Sequence, residues 1–84
     1  MDEKKIKAKI VEWFEKGELT SNTHLLVIEN LKEKSMDPYF VNFEEDITKI
    51  IIDLEQNQDF NLVEIYNLEE DLEPQLNEYK SWNI

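Results

Sequence analysis

The carboxylates come first, because no other side chains in this sequence are dense enough to form a charged site. Glu44, Glu45 and Asp46 form one run; Glu69, Glu70 and Asp71, with Glu73 two residues on, form another. Clustered acids can hold a cation, carry acid–base chemistry or present a field of one sign to a basic partner. Calcium loops need oxygen ligands at alternate positions, a mid-loop glycine and a closing Glu, and neither run has that pattern. Adjacent acids on a helix point in different directions. With one His and no Cys, a transition-metal site would have to be almost wholly carboxylate, so neither a metal nor another cofactor is expected.

The other reactive residues narrow the field further. His24 is the only histidine, and no motif supplies the nucleophile and orienting acid that a catalytic base works with. It is expected to be a partly exposed strand-edge or cap residue. Gly17 is the only glycine, which removes the loops that cradle phosphates. Lys4, Lys5, Lys7, Lys9 and Lys16 are interspersed with acids and read as a solvated helix face, not a surface that neutralises nucleic-acid phosphates. A chain of 84 residues has one thin core and little depth for an enclosed substrate pocket, so binding is expected in preference to catalysis.

The net charge of −11 is unevenly distributed. Residues 1–34 hold seven Lys and seven acids, whereas residues 35–84 hold two Lys and thirteen acids. Forty per cent apolar residues, with two Trp, three Tyr and four Phe, are more than a disordered acidic chain carries, so a single folded domain over residues 1–84 is expected. The absence of cysteine excludes disulfides and fits a reducing cytosol. The longest apolar runs, 25–28 and 50–52, fall far short of the roughly 20 residues of a membrane span. No signal-peptide apolar block follows the charged start, and a cytoplasmic location is expected.

The elements that must position the acids follow from periodicity. Ile6, Ile10, Trp13 and Phe14 recur at helical spacing and predict a helix over about residues 3–16, with Gly17 as a left-handed cap. The runs near 24–31, 38–42 and 60–66 are β-prone, the first two as a hairpin across a charged turn at 32–37. Ile47, Ile50, Ile51 and Leu54 mark a helix near 43–56; Leu68, Leu72, Leu76 and Tyr79 mark another near 68–80, interrupted by Pro74. The expected fold is α+β with about three strands. The alternative is an all-α four-helix bundle in which Asp37 and Pro38 start a helix.

One internal similarity ties the acids to these elements. Residues 41–47, Val-Asn-Phe-Glu-Glu-Asp-Ile, resemble residues 66–72, Tyr-Asn-Leu-Glu-Glu-Asp-Leu. Each reads as a strand end followed by a helix start, with Asn42 or Asn67 as N-cap and Glu45 or Glu70 closing the box. Acids at helix starts complement the helix dipole, which accounts for part of the clustering. The near absence of Lys beside them is left over, and it suggests a surface of one sign.

A small acidic module that occludes a basic surface of a partner protein is therefore the expected function. Nuclease inhibitors, immunity proteins, antitoxins and nucleic-acid mimics share this bulk character, although no family motif is present. The expected partner-binding residues are Glu44, Glu45, Asp46, Glu69, Glu70, Asp71 and Glu73, with Tyr66 as an aromatic anchor. The expected partner is a basic protein such as a nuclease or nucleic-acid-binding protein, with no direct contact to nucleic acid or membrane. The alternative is a structural or regulatory homodimeric subunit, to whose interface Trp82 could contribute.

Overall fold

The computed structural model describes residues 3–78 and 82–84. Along the chain run α1 (Glu3–Leu19), β1 (Asn22–Asn30), β2 (Ser35–Asn42), α2 (Ile47–Gln56), β3 (Phe60–Asn67) and α3 (Leu72–Leu76). The α+β expectation holds, and the four-helix bundle does not. Pro38 lies inside β2 opposite Val27, with Asp37 opposite Ile28. Proline tolerates a strand that lies at a sheet edge, and the aromatic and β-branched run that follows it pairs better than it coils.

The sheet has the order β2-β1-β3, and β1 is antiparallel to both neighbours. Strands β2 and β3 are therefore parallel and end at the same end of the sheet, beside the start of β1. The central strand explains why its sequence shows no alternation. Leu25 and Val27 pack with Ile10, Phe14, Tyr66 and Leu68 on the α1 side. Leu26 and Ile28 pack with Val41, Ile51, Leu62 and Ile65 on the α2 side. A strand buried on both faces reads as a continuous apolar run. At about 25 cal/mol per Å², these two apolar layers supply the main favourable term for folding.

Three helix boundaries differ from the sequence expectation, each for a local reason. Helix α1 passes through Gly17 and ends at Leu19, and it is Ser21 that takes the left-handed conformation, at φ 59°. Gly17 serves close packing: a Cβ there would come within 2.9 Å of Leu68 Cδ1 and 3.1 Å of the Phe40 ring. The α1 carbonyls are met instead by Thr20, whose hydroxyl donates to Lys16 O at 3.0 Å, and by Asn22, whose amide donates to Gly17 O at 3.4 Å. Helix α2 begins at Ile47 with Asp46 as its cap, not near residue 43. Helix α3 starts at Leu72 and not near residue 68, because residues 68–71 form a turn and Pro74, which has no N–H to give to Glu70 O, is tolerated only in a first turn. The expected continuation through Tyr79 and Lys80 lies outside the described residues.

Both sheet edges carry features that disfavour a further strand. Along β3, Trp82 bridges Ile65, its indole N–H donates to Val63 O at 3.2 Å, and Asn83 N donates to Ile65 O at 3.1 Å. Along β2, Pro38 removes a backbone donor from the middle of the strand, a common device against edge pairing.

Candidate functional site

The two acidic runs occupy equivalent turns. Asn42 Oδ1 accepts from Glu44 N, and Asn67 Oδ1 accepts from Glu69 N, both at 2.9 Å. Glu45 N donates to Asn42 O at 3.1 Å, and Glu70 N to Asn67 O at 3.3 Å. The asparagines are thus turn residues at the strand ends, and the helix N-caps are Asp46 and Asp71. This corrects the expected capping box by one turn: a side chain bonding its own backbone two residues on competes with helix and defers its start. Glu45 still reaches back to Asn42 N, at 3.2 Å.

Below the common turn the two copies diverge. Asp46 Oδ1 accepts from Thr48 N at 3.0 Å and Lys49 N at 3.4 Å, a working side-chain cap. Asp71 makes no such bond. Gln75, buried at 3% exposure, stitches the second copy together instead. Its Oε1 accepts from Asn67 N at 2.7 Å and Asn83 Nδ2 at 3.1 Å, while its Nε2 donates to Asn67 O at 3.0 Å and Asp71 O at 2.9 Å. Nothing in the local sequence singles Gln75 out, since its partners come from a strand end, a turn and the chain terminus.

The fold brings the two runs to one end of the sheet. Asn42 pairs with Asn22 and Asn67 with His24, so the turns flank the start of β1. Two strand spacings separate them, about 10 Å, comparable with the screening length in physiological salt. Glu44, Glu45, Asp46, Glu69, Glu70, Asp71 and Glu73 are all exposed. Two large apolar side chains stand at the same end: Leu19, 86% exposed, three residues before β1, and Phe43, 75% exposed, directly after β2. Sequence reasoning missed both. Leu19 falls beyond the helix end expected at residue 16, and nothing in the local sequence separates Phe43 from Leu68, its buried counterpart in the second turn.

Tyr66 does not belong to this surface. It is 2% exposed, and its hydroxyl donates to Glu64 Oε2 at 2.5 Å on the α1 side. A cleft of about 360 Å³ opens there, lined by Ile6, Lys7, Glu64, Tyr66, Leu76 and Glu78 among others. Burial, the bond to Glu64 and the charges of Glu64 and Glu78 push the Tyr66 hydroxyl well above its usual pKa of 10.0. A phenol held protonated can donate a hydrogen bond but is neither a base nor a nucleophile.

His24 sits between the two turns. Its Nδ1 is 2.8 Å from Thr23 Oγ1, and its Nε2 is buried with no hydrogen-bond partner among the described residues. Burial lowers its pKa from 6.5, partly opposed by the charge of Glu69. Among the described residues no group of three or more His, Cys, Asp or Glu converges as metal ligands would, and no helix is long and apolar enough to cross a membrane. What the arrangement offers is a negative end surface carrying two exposed apolar side chains. No protein-family model matches the chain, and comparison with curated proteins and with solved structures yields no match.

Proposed function

We propose that this protein is a binding module whose acidic sheet end occludes a basic surface of a partner protein, in the manner of an inhibitor, immunity protein or nucleic-acid mimic. The observation that carries the reading is the meeting of both acidic turns at one end of the sheet, with Phe43 and Leu19 exposed beside them. Carboxylates of one sign steer a basic partner and select against acidic ones. Exposed aromatic and aliphatic side chains within such a rim supply the desolvated contact that charge alone does not. Phe43 thereby takes the anchoring role that sequence reasoning gave to Tyr66. The partner is a protein rich in Lys or Arg, such as a nuclease or nucleic-acid-binding protein, and the module itself does no catalysis. A cytoplasmic site of action goes with this reading, since the cysteine-free chain suits a reducing compartment.

Affinity capture from the native host at low salt, eluting with rising salt, tests it. A basic protein that elutes as salt increases supports the proposal. A homodimer that captures nothing else favours the structural-subunit alternative.

A further inference from the structure

On the face opposite α1, the sheet packs against α2. Over β2 a shallow groove of about 170 Å³ remains, lined by Tyr39, Ile50, Asp53, Leu54, Asn57 and Phe60. Tyr39 pairs with Leu26 and Asp37 with Ile28, which places both on the α2 side of β2. The groove is of the order of a cavity that accepts one benzene-sized group, so it fits a single large apolar side chain. Asp53 is its charged lining residue and Asp37 stands on the same face of β2, within a chain of net charge −11. Pro38 removes a donor from the nearer sheet edge, so an occupant packed on the face is favoured over an added strand.

We propose that this groove is a second contact point, taking a Leu- or Phe-sized side chain from a partner segment in which lysine or arginine flanks it. The apolar side chain fills the space between Tyr39 and Leu54, and the flanking cations face Asp37 and Asp53. Charge complementarity selects this occupant over a second copy of the chain, which would bring like charges together. The inference rests on the reading of a basic protein partner given above, and adds where an apolar residue of that partner is held.

The test uses the full chain and two synthetic peptides, one lysine-rich with leucines at helical spacing and one with those leucines replaced by lysine. The expected result is at least tenfold tighter binding of the leucine peptide, with amide shifts at Tyr39, Ile50, Leu54 and Phe60. Tyr39→Ala should abolish that preference, while Asp53→Lys should weaken both peptides; circular dichroism confirms that each variant folds. Equal binding of the two peptides overturns the groove and leaves the acidic-surface reading standing. Loss of the preference in Phe43→Ala but not in Tyr39→Ala also overturns it, by moving the apolar contact to the sheet end. No binding of either peptide at low salt removes the basic-partner reading and the inference with it. A dimer of the free protein that dissociates in Tyr39→Ala overturns it in favour of self-association.

Discussion

Residues 41–47 and 66–72 have nearly the same sequence and form the same turn, yet the third residue of each meets an opposite fate. Leu68 is 5% exposed beneath α1, where Gly17 admits it; Phe43 is 75% exposed. The local sequence settles the turn and the helix start, because asparagine and aspartate bond the backbone within a few residues. Tertiary cover decides whether the apolar residue in that turn becomes core or surface. One copy therefore serves stability and the other is free to serve recognition.

Truncating the two equivalent residues gives the largest contrast. Leu68→Ala should lower stability by about 3 kcal/mol, as loss of a packed aliphatic side chain does, whereas Phe43→Ala should change it by less than about 0.5 kcal/mol. Chemical denaturation checks both, and equal effects would remove the division of roles. The caps give the next contrast. Gln75→Ala removes a buried side chain and its bonds to the part-buried backbone of Asn67 and Asp71 and should cost about 2 kcal/mol, against about 1 kcal/mol for Asp46→Ala. Asp71→Ala, which loses no side-chain cap, should cost only a few tenths of a kcal/mol.

The smallest effect concerns His24, which feels Glu69 of the second turn. Its folded pKa lies below the unfolded value of 6.5, so below that pH the unfolded chain binds more protons and stability declines with acidity. The contribution is fully present above pH 6.5 and is lost progressively as pH falls towards the folded pKa. Melting wild type and His24→Gln at pH 7.5 and 5.5 isolates it: the wild type should lose more on acidification. An identical pH response in the two proteins would show that His24 is not desolvated.

Much of this fold was legible in the sequence, and the exceptions have physical causes. The α+β class, the three strands and the α2 stripe follow from period and residue type. Helix ends were less legible, because Asn42 and Asn67 look like caps while acting as turn residues, and because the one glycine suggested a stop where close packing required it. The acidic turns were readable as a charged cluster, and their shared location follows only from β2 and β3 being parallel. Tyr66, expected as an anchor for a partner, is buried because α1, far off in sequence, packs on its face of the sheet, and no local signal marks Phe43 as exposed. Gln75 left no local signal, because all its bonds are tertiary or run to the turn and tail.

The most direct measurement of the central claim is the salt dependence of affinity for the captured partner, comparing wild type with Glu44→Lys, Glu45→Lys, Glu69→Lys and Glu70→Lys combined. Asp46 is left intact because it caps α2. Affinity should fall at least tenfold at low salt, with the two proteins converging as salt rises, since screening removes what the charges supply. Unchanged affinity at low salt would contradict the account.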